Sequence, residues 1–330
     1  MKDYEVYMNR CLELARLGEY YVAPNPMVGA VLVGRDGEIL GEGWHKQFGG
    51  AHAEVECFAD FDRRQSDTDL HTATLFVSLE PCCHYGKTPP CADMIVKRGV
   101  GKVVVGCLDP NPQVSGRGVN RLKEAGIEVV TGVLEEECRY LNRRFICLHE
   151  KGRAYVVLKW AQSADGYLGK CGERTVISTP YTKLLVHKMR AENMAILVGS
   201  GTVVTDNPKL LNTHWTGRNP IRIVLDRRGR VTPDYRVFSK ESETIVLREH
   251  TEWKEVVSEL AERQIHSVLV EGGGTLLNSI LESGIYDEIH IEVNPRLRLG
   301  EGVEAPKVIL PSEAPEEADG NLLYTEKLRK

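Results

Sequence analysis

Apolar residues along this chain recur with two alternating periods. Over residues 3–18 they fall near helical spacing, with Val6, Leu12, Leu14, Ala15 and Leu17 as the apolar set and Gly18 as a stop. A branched apolar run follows at 28–33, then the turn Gly34-Arg35-Asp36-Gly37 and an apolar return at 39–43, which predicts two strands. The pattern next predicts helices over 52–61, 92–98 and 118–126, between strands at 74–79, 102–107 and 127–130. The polar stretch His149-Glu150-Lys151-Gly152 interrupts it, and the pattern restarts beyond. The second half predicts strands at 155–159, 195–198, 221–226, 244–247 and 267–271, with helices over 182–191 and 253–263. This alternation predicts α/β architecture in both halves, divided as residues 1–148 and 152–330. Residues 311–330, rich in proline and glutamate, read as a partly mobile tail.

A length of 330 residues suits two domains, each long enough to bury a core. The net charge of −5 argues against a protein that binds nucleic-acid duplexes, which would carry a basic face, yet leaves room for a local basic pocket around one phosphate. No apolar run reaches bilayer-spanning length, and the start, Met1-Lys2-Asp3-Tyr4-Glu5, lacks the apolar core of a signal peptide. The expected location is cytoplasmic, with no membrane partner. Nine cysteines in such a chain point away from disulfides, so a tight cysteine cluster points to metal or catalysis. Cys11, Cys57, Cys107, Cys138, Cys147 and Cys171 stand alone and read as plain thiols.

Three fragments supply a cluster: His52-Ala53-Glu54, Glu80-Pro81-Cys82-Cys83-His84 and Pro89-Pro90-Cys91. Zinc takes about four ligands from thiolate and imidazole, and a catalytic site leaves one position to water. His52, Cys82 and Cys91 provide three ligands. Glu54, two residues past the histidine at a helix start, can reach that water without being a ligand and suits a proton shuttle. Zinc nucleobase deaminases use this arrangement. The alternative is a closed structural centre, in which Cys83 and His84 join Cys82 and Cys91.

Eight residues separate Cys82 from Cys91, where common cytidine and tRNA-type deaminases carry Pro-Cys-x-x-Cys. That insert, Cys83-His84-Tyr85-Gly86-Lys87-Thr88-Pro89-Pro90, resembles the riboflavin-pathway deaminase family. So do the stretch Ala23-Pro24-Asn25-Pro26-Met27-Val28-Gly29-Ala30-Val31 and the segments Gly43-Trp44-His45 and Asp109-Pro110-Asn111-Pro112. Cys-Cys-His stands where the family has Cys-Ser-His, and the metal is assigned to Cys82, which follows the proline. The resemblance implies a cytidine-deaminase-like α/β/α domain. It also implies a small-molecule substrate, a diamino-pyrimidinone with a ribosylamino 5-phosphate, whose ring 2-amino group leaves as ammonia. Asn25, His45, His84 and Lys87 would contact it, the asparagine reading the pyrimidine edge and the cations meeting the phosphate. Acidic balance, the long insert and the lack of a basic aromatic groove weigh against a nucleic-acid partner.

The second half carries Leu158-Lys159-Trp160-Ala161-Gln162-Ser163-Ala164-Asp165-Gly166, then Gly199-Ser200-Gly201-Thr202 running on to Asp206-Asn207-Pro208, then Val270-Glu271-Gly272-Gly273-Gly274-Thr275. In the third, a strand ends, glycines admit a close backbone approach and a helix begins, a geometry that cradles pyrophosphate. It is not the Gly-x-Gly-x-x-Gly fingerprint of a dinucleotide-binding Rossmann domain. Together these segments resemble the riboflavin-pathway reductase family, which implies a dihydrofolate-reductase-like α/β domain and hydride transfer from NADPH to the sugar C1. By position, Ala161, Val176, Thr202, Asp206, Gly273, Gly274, Thr275, Leu276, Leu277, Asn278 and Ser279 would hold NADPH. Arg174, Arg190 and Leu210 would meet substrate, Arg190 through the phosphate. Lys159 and Glu271 fall in the reaction zone. Arg227 and Arg228, after the strand ending at Asp226, would favour the NADPH 2′-phosphate. Val176 stands where the family has a tryptophan, and Leu211-Asn212-Thr213 lacks the family's arginine, so a C-terminal half that binds nucleotide without catalysis is the alternative. A homo-oligomer is expected on base rates alone.

Overall fold

The computed structural model describes residues 2–65, 68–83, 89–112, 114–172, 175–250, 252–311 and 314–328. The chain divides into two compact units, Met1–Lys151 and Gly152–Lys330. In the first, helix α1 (Lys2–Arg16) precedes strands β1 (Gly29–Val33) and β2 (Ile39–Trp44), then α2 (Ala53–Arg64), β3 (Thr74–Leu79), α3 (Cys91–Arg98), β4 (Lys102–Cys107), α4 (Arg117–Glu124) and β5 (Glu128–Thr131). Two helices, α5 (Glu135–Leu141) and α6 (Arg143–Lys151), close the unit. The strands form one sheet in the order β2-β1-β3-β4-β5, antiparallel at the β2-β1-β3 side and parallel across β3-β4-β5.

Successive strand residues point to opposite faces, and the sequence exploits this on both. Val103 and Val105 pack with Leu32, Leu75 and Val77 against Phe58, Ile95 and Leu122 of α2, α3 and α4. Val104 between them packs with Val31 and Phe76 against Met8, Leu12 and Ala15 of α1 and Cys138 and Leu141 of α5. The unit is therefore a three-layer α/β/α sandwich. At Gly43 the backbone of α2 approaches β2 closely: a Cβ there would stand 2.2 Å from the Cys57 nitrogen and 2.4 Å from the Ala53 carbonyl oxygen.

The second unit begins with β6 (Tyr155–Ser163) and β7 (Tyr167–Gly169), then α7 (Pro180–Glu192), β8 (Ala195–Gly199), α8 (Ser200–Asp206), β9 (Ile221–Leu225) and β10 (Thr244–Leu247). It continues with α9 (Trp253–Glu262), β11 (Ser267–Glu271), α10 (Gly274–Ser283), β12 (Glu288–Asn294), β13 (Val303–Glu304), β14 (Glu316–Ala318) and β15 (Asn321–Lys327). Eight strands form one sheet in the order β10-β9-β8-β11-β6-β12-β15-β14, parallel from β10 to β12 and antiparallel beyond. One face buries Val156, Leu158, Leu197, Ile223, Val270 and Ile291 under α9 and α10. On the other face Ile196, Val198 and Val224 pack with Val203, Leu210 and Val237.

The expectation of α/β architecture in both halves is borne out. The tail is a correction. Glu316–Ala318 and Asn321–Lys327 are strands of the main sheet, because their backbone completes the ladder that β12 would otherwise leave open. Gly43→Val should destabilise the first unit by about 3 kcal/mol, since α2 must move off β2. A lowered urea midpoint together with lost zinc affinity is expected, and an unchanged midpoint would contradict the packing argument.

Candidate functional site

His52 is the N-cap of α2, Cys91 the first residue of α3, and Cys82 follows the end of β3. Two helix starts and one parallel-strand end thus converge. His52 Nδ1 stands 3.6 Å from Cys82 Sγ and 3.3 Å from Cys91 Sγ, and the three ligand atoms lie within 4.8 Å of one another. Zinc–ligand bonds of about 2.0–2.3 Å at tetrahedral angles put neighbouring ligand atoms about 3.5 Å apart, so this donor set fits zinc with one position left for water. Among the described residues no other histidine, cysteine or carboxylate joins the group, and Cys83 stays outside it.

The two thiols share a hydrogen bond. That bond from Cys91, with His52 and the Cys91 backbone N–H 3.3 Å from the Cys82 sulfur, holds the Cys82 thiol far below the usual range against its burial. Cys91 keeps the proton and is pushed up, first by that bond and then by burial. Glu54, in the first turn of α2, is 3 % exposed. Burial, and then the charge of Cys82, pushes its carboxyl up to about 7.

Asn25 and His45 form a second layer. His45 Nδ1–H donates to the Ala51 carbonyl at 2.8 Å, which leaves Nε2 to accept from Asn25 Nδ2 at 3.0 Å. Burial holds the imidazole below its usual pKa, so it is neutral and fixes which way the Asn25 carboxamide points. The loop carrying Asn25 is itself pinned, because Asn142 accepts from the Met27 N–H and donates to the Met27 carbonyl, both at 2.8 Å. Glu80, buried just before Pro81, accepts from the backbone N–H groups of Asp109, Gly116 and Val119, tying the Asp109–Pro112 segment to the zinc-ligand loop. Sequence reasoning missed Asn142 and Glu80, whose partners lie far along the chain. His84, Lys87 and Arg174 lie outside the described residues.

In the second unit the chain leaves β8 toward β9 and leaves β11 toward β12, on opposite sides of the β8–β11 pair. Such a switch point opens a crevice beyond the carboxyl ends of the strands. A cavity of 1080 Å³ lies there, large enough for a dinucleotide and a second small molecule. Helix α10 starts at it with Gly273 as N-cap, which supplies no side chain to cap the free N–H groups. A Cβ on Gly273 would meet nothing within 4 Å, whereas one on Gly274 would stand 2.6 Å from the Glu304 carbonyl oxygen. The backbone is thus open at Gly273 and closely seated at Gly274, a cradle that fits the pyrophosphate of NADPH. Among the described residues eight lysines and arginines line the cavity against Asp206 and Glu271 alone, a strong local excess of positive charge in an acidic chain.

Lys159, Ala161, Val176, Arg190, Thr202, Asp206, Leu210, Arg227, Arg228, Glu271, Gly273, Gly274, Thr275, Leu276 and Ser279 all line this cavity. Leu277 instead points into the core and Asn278 is exposed away from the cavity, as helical periodicity requires. Leu210 is 5 % exposed and packs with Val198 and Val203. Arg190 holds Glu271 with Nε at 2.9 Å and a terminal nitrogen at 2.8 Å, and donates to the Leu211 carbonyl at 3.0 Å. Burial opposes the charge on Glu271, but Arg190 outweighs it and keeps the carboxyl below its usual pKa. Arg230, which sequence reasoning passed over, donates to Ser200 Oγ at 2.9 Å at the start of α8. The run Arg227-Arg228-Gly229-Arg230 was its signal.

Residues 1–107 match the family described as cytidine and deoxycytidylate deaminase zinc-binding region, and residues 154–313 match the family described as RibD C-terminal domain. The chain is 38% identical over 328 residues to the riboflavin biosynthesis protein RibD of Actinobacillus pleuropneumoniae, spanning 91% of this chain and 86% of that protein. It is 38% identical over 333 residues to RibD of Escherichia coli K12, with 90% and 89% covered. The crystal structure of the Thermotoga maritima diaminohydroxyphosphoribosylaminopyrimidine deaminase/5-amino-6-(5-phosphoribosylamino)uracil reductase superposes with a TM-score of 0.89 at 38% identity over 99% of both chains. Acinetobacter baumannii RibD superposes with a TM-score of 0.88 at 33% identity over 98% of both chains. A deaminase-type zinc region and a reductase domain, matched in that order across nearly the whole length, leave one conclusion: the chain belongs to the RibD family of riboflavin biosynthesis and joins a zinc deaminase to an NADPH reductase.

Proposed function

We propose that the two units act in sequence on one small molecule, a diamino-pyrimidinone with a ribosylamino 5-phosphate, first removing its ring 2-amino group and then reducing its ribosyl chain. The observation that carries the reading is the convergence of His52, Cys82 and Cys91 within 4.8 Å beside the buried carboxyl of Glu54. Those three residues would hold zinc, which when bound supplies a Lewis acid that makes water nucleophilic near neutral pH. Glu54 takes the proton from the attacking water and passes it to the departing amine. Asn25, oriented by His45, offers its carbonyl oxygen to the pyrimidine edge. Lys87 and His84 meet the phosphate.

In the second unit Gly273, Gly274 and the start of α10 would hold NADPH, which when bound supplies the hydride. Ala161, Thr202, Asp206 and Ser279 line the same cavity and flank the nucleotide. A carbon is a better hydride acceptor when its attached nitrogen is protonated, and Lys159 and Glu271 stand where that proton is managed. The bidentate pair with Glu271 supports a role for Arg190 in holding that carboxylate, leaving the substrate phosphate to other basic residues of the cavity. Lys159, Glu271 and the Gly273 cradle line one cavity, which favours catalysis over nucleotide binding alone. Among the described residues no helix is long and apolar enough to cross a membrane, and the reading is of a cytoplasmic enzyme with no nucleic-acid partner, homo-oligomeric on base rates.

The direct test follows ammonia release and NADPH oxidation together on zinc-loaded protein given the diamino-pyrimidinone. Both signals in that order are expected, and ammonia without NADPH oxidation would reduce the second unit to a binding module. Glu54→Gln should keep its zinc, measured by atomic absorption, while deamination falls by about 10²–10⁴-fold. Normal ammonia release would remove Glu54 from the mechanism. Lys159→Ala should impair reduction and spare deamination. Arg227→Ala with Arg228→Ala should raise the KM for NADPH about tenfold or more with little change for NADH, and a preserved preference would place the 2′-phosphate elsewhere.

A further inference from the structure

Beyond Glu271, the second unit buries another carboxylate beside Lys159. In the parallel ladders Glu271 of β11 pairs with Lys159 of β6, and β12 sets His290 opposite Lys159 and Glu292 opposite Ala161. Paired residues in neighbouring strands, and residues two apart in one strand, share a sheet face. Glu271, Lys159 and Glu292 therefore project from the same face of three adjacent strands, Glu271 at the carboxyl end of β11 and the other two midway along β6 and β12. Glu271 has its partner in Arg190. The ammonium of Lys159 instead lies 3.4 Å from Glu292 Oε2, with the two side chains 12 % and 2 % exposed.

Glu292 is fixed from three other directions. Ser178 Oγ donates to Oε2 at 2.7 Å, while Thr182 Oγ1 and Asn321 Nδ2 donate to Oε1 at 2.6 and 2.7 Å. These donors come from the segment before α7, from α7 and from β15, so each anchor belongs to a different part of the unit. Four donors match the roughly four lone-pair sites of a carboxylate, so every site has a partner. Burial alone would favour the neutral acid, yet Lys159 and the three donors hold Glu292 below its usual pKa. An ion pair this deeply buried adds little to stability compared with an apolar replacement. What it does define is where the Lys159 ammonium sits, at the wall of the cavity that Glu271 and Gly273 also line.

We propose that Glu292 is a positioning residue for reduction: clamped by Ser178, Thr182 and Asn321, it holds the Lys159 ammonium at the reaction zone of the nucleotide cavity. The inference rests on the reading of Lys159 as a reductase residue. It adds a requirement that neither the glycine cradle nor the Arg190–Glu271 pair supplies.

The test is a double-mutant cycle in the full-length, zinc-loaded protein, with NADPH oxidation measured on the deaminated pyrimidine. Glu292→Gln keeps the size but removes the charge and turns one of the two accepting oxygens into an NH2 donor. It should lower kcat for reduction about tenfold, in line with the cost of a misplaced active-site group, while the KM for NADPH and ammonia release hold. In a Lys159→Ala background Glu292→Gln should cause no further loss. Equal losses in both backgrounds, or a full reduction rate in Glu292→Gln while Lys159→Ala is impaired, would overturn the proposal. A full rate in Lys159→Ala itself would instead sink the underlying reading of Lys159, a distinguishable result. If Glu292→Gln fails to bind NADPH and so has not folded, Ser178→Ala removes one donor and leaves the charge. A loss of about two- to threefold that again disappears without Lys159 is expected, and a loss that persists there overturns the proposal.

Discussion

The first N–H groups of an α-helix have no partners within the helix, and both units turn this into a binding feature beyond the carboxyl ends of interior strands. In the first unit the starts of α2 and α3 supply two metal ligands, His52 and Cys91, and the Cys91 N–H meets the sulfur of the third. A thiolate at a helix start is stabilised by the aligned backbone dipoles. In the second unit the start of α10 lies open over the cavity. Each helix can present its start this way only because an apolar face holds it on the sheet. The glycine contact at Gly43 and the packing of Phe58 and Ile95 are therefore as much part of the metal site as its ligands.

The two sites manage charge differently. The deaminase site is small, and its groups are matched in pairs: thiol with thiol, imidazole with carboxamide, and a carboxyl kept near neutrality by burial. The reductase cavity is wide, and its walls are mostly basic. Glu271 at its wall and the buried Glu292 beside Lys159 are each committed to a cation, so neither cancels the field that a polyanionic nucleotide would meet.

Much of this was legible in the residue order. Continuous apolar runs at 74–79, 102–107 and 267–271 give those strands their observed ends, because a strand buried on both faces must be apolar throughout. His52, Cys82, Cys91 and Glu54 were readable because metal chemistry restricts residue types and local spacing. Ile289, Ile291 and Val293 also alternate as a strand should, but Glu288 just before them and Glu292 among them are buried instead of solvated. A pattern that equates polar with exposed passes over such a strand.

The sequence by itself determined the α/β alternation, the metal-ligand set, the proton-shuttling carboxyl and the glycine turn that opens a helix onto a nucleotide. Each is encoded within a few neighbouring residues or in a residue type that has few other uses. Only the tertiary structure decided that Asn142 pins the loop of Asn25, that Glu80 secures the Asp109–Pro112 segment and that β15 carries Asn321 to Glu292. These contacts join residues from 29 to 115 positions apart. No periodicity or spacing rule reaches that far, and the partners meet only once the packed sheet brings them together.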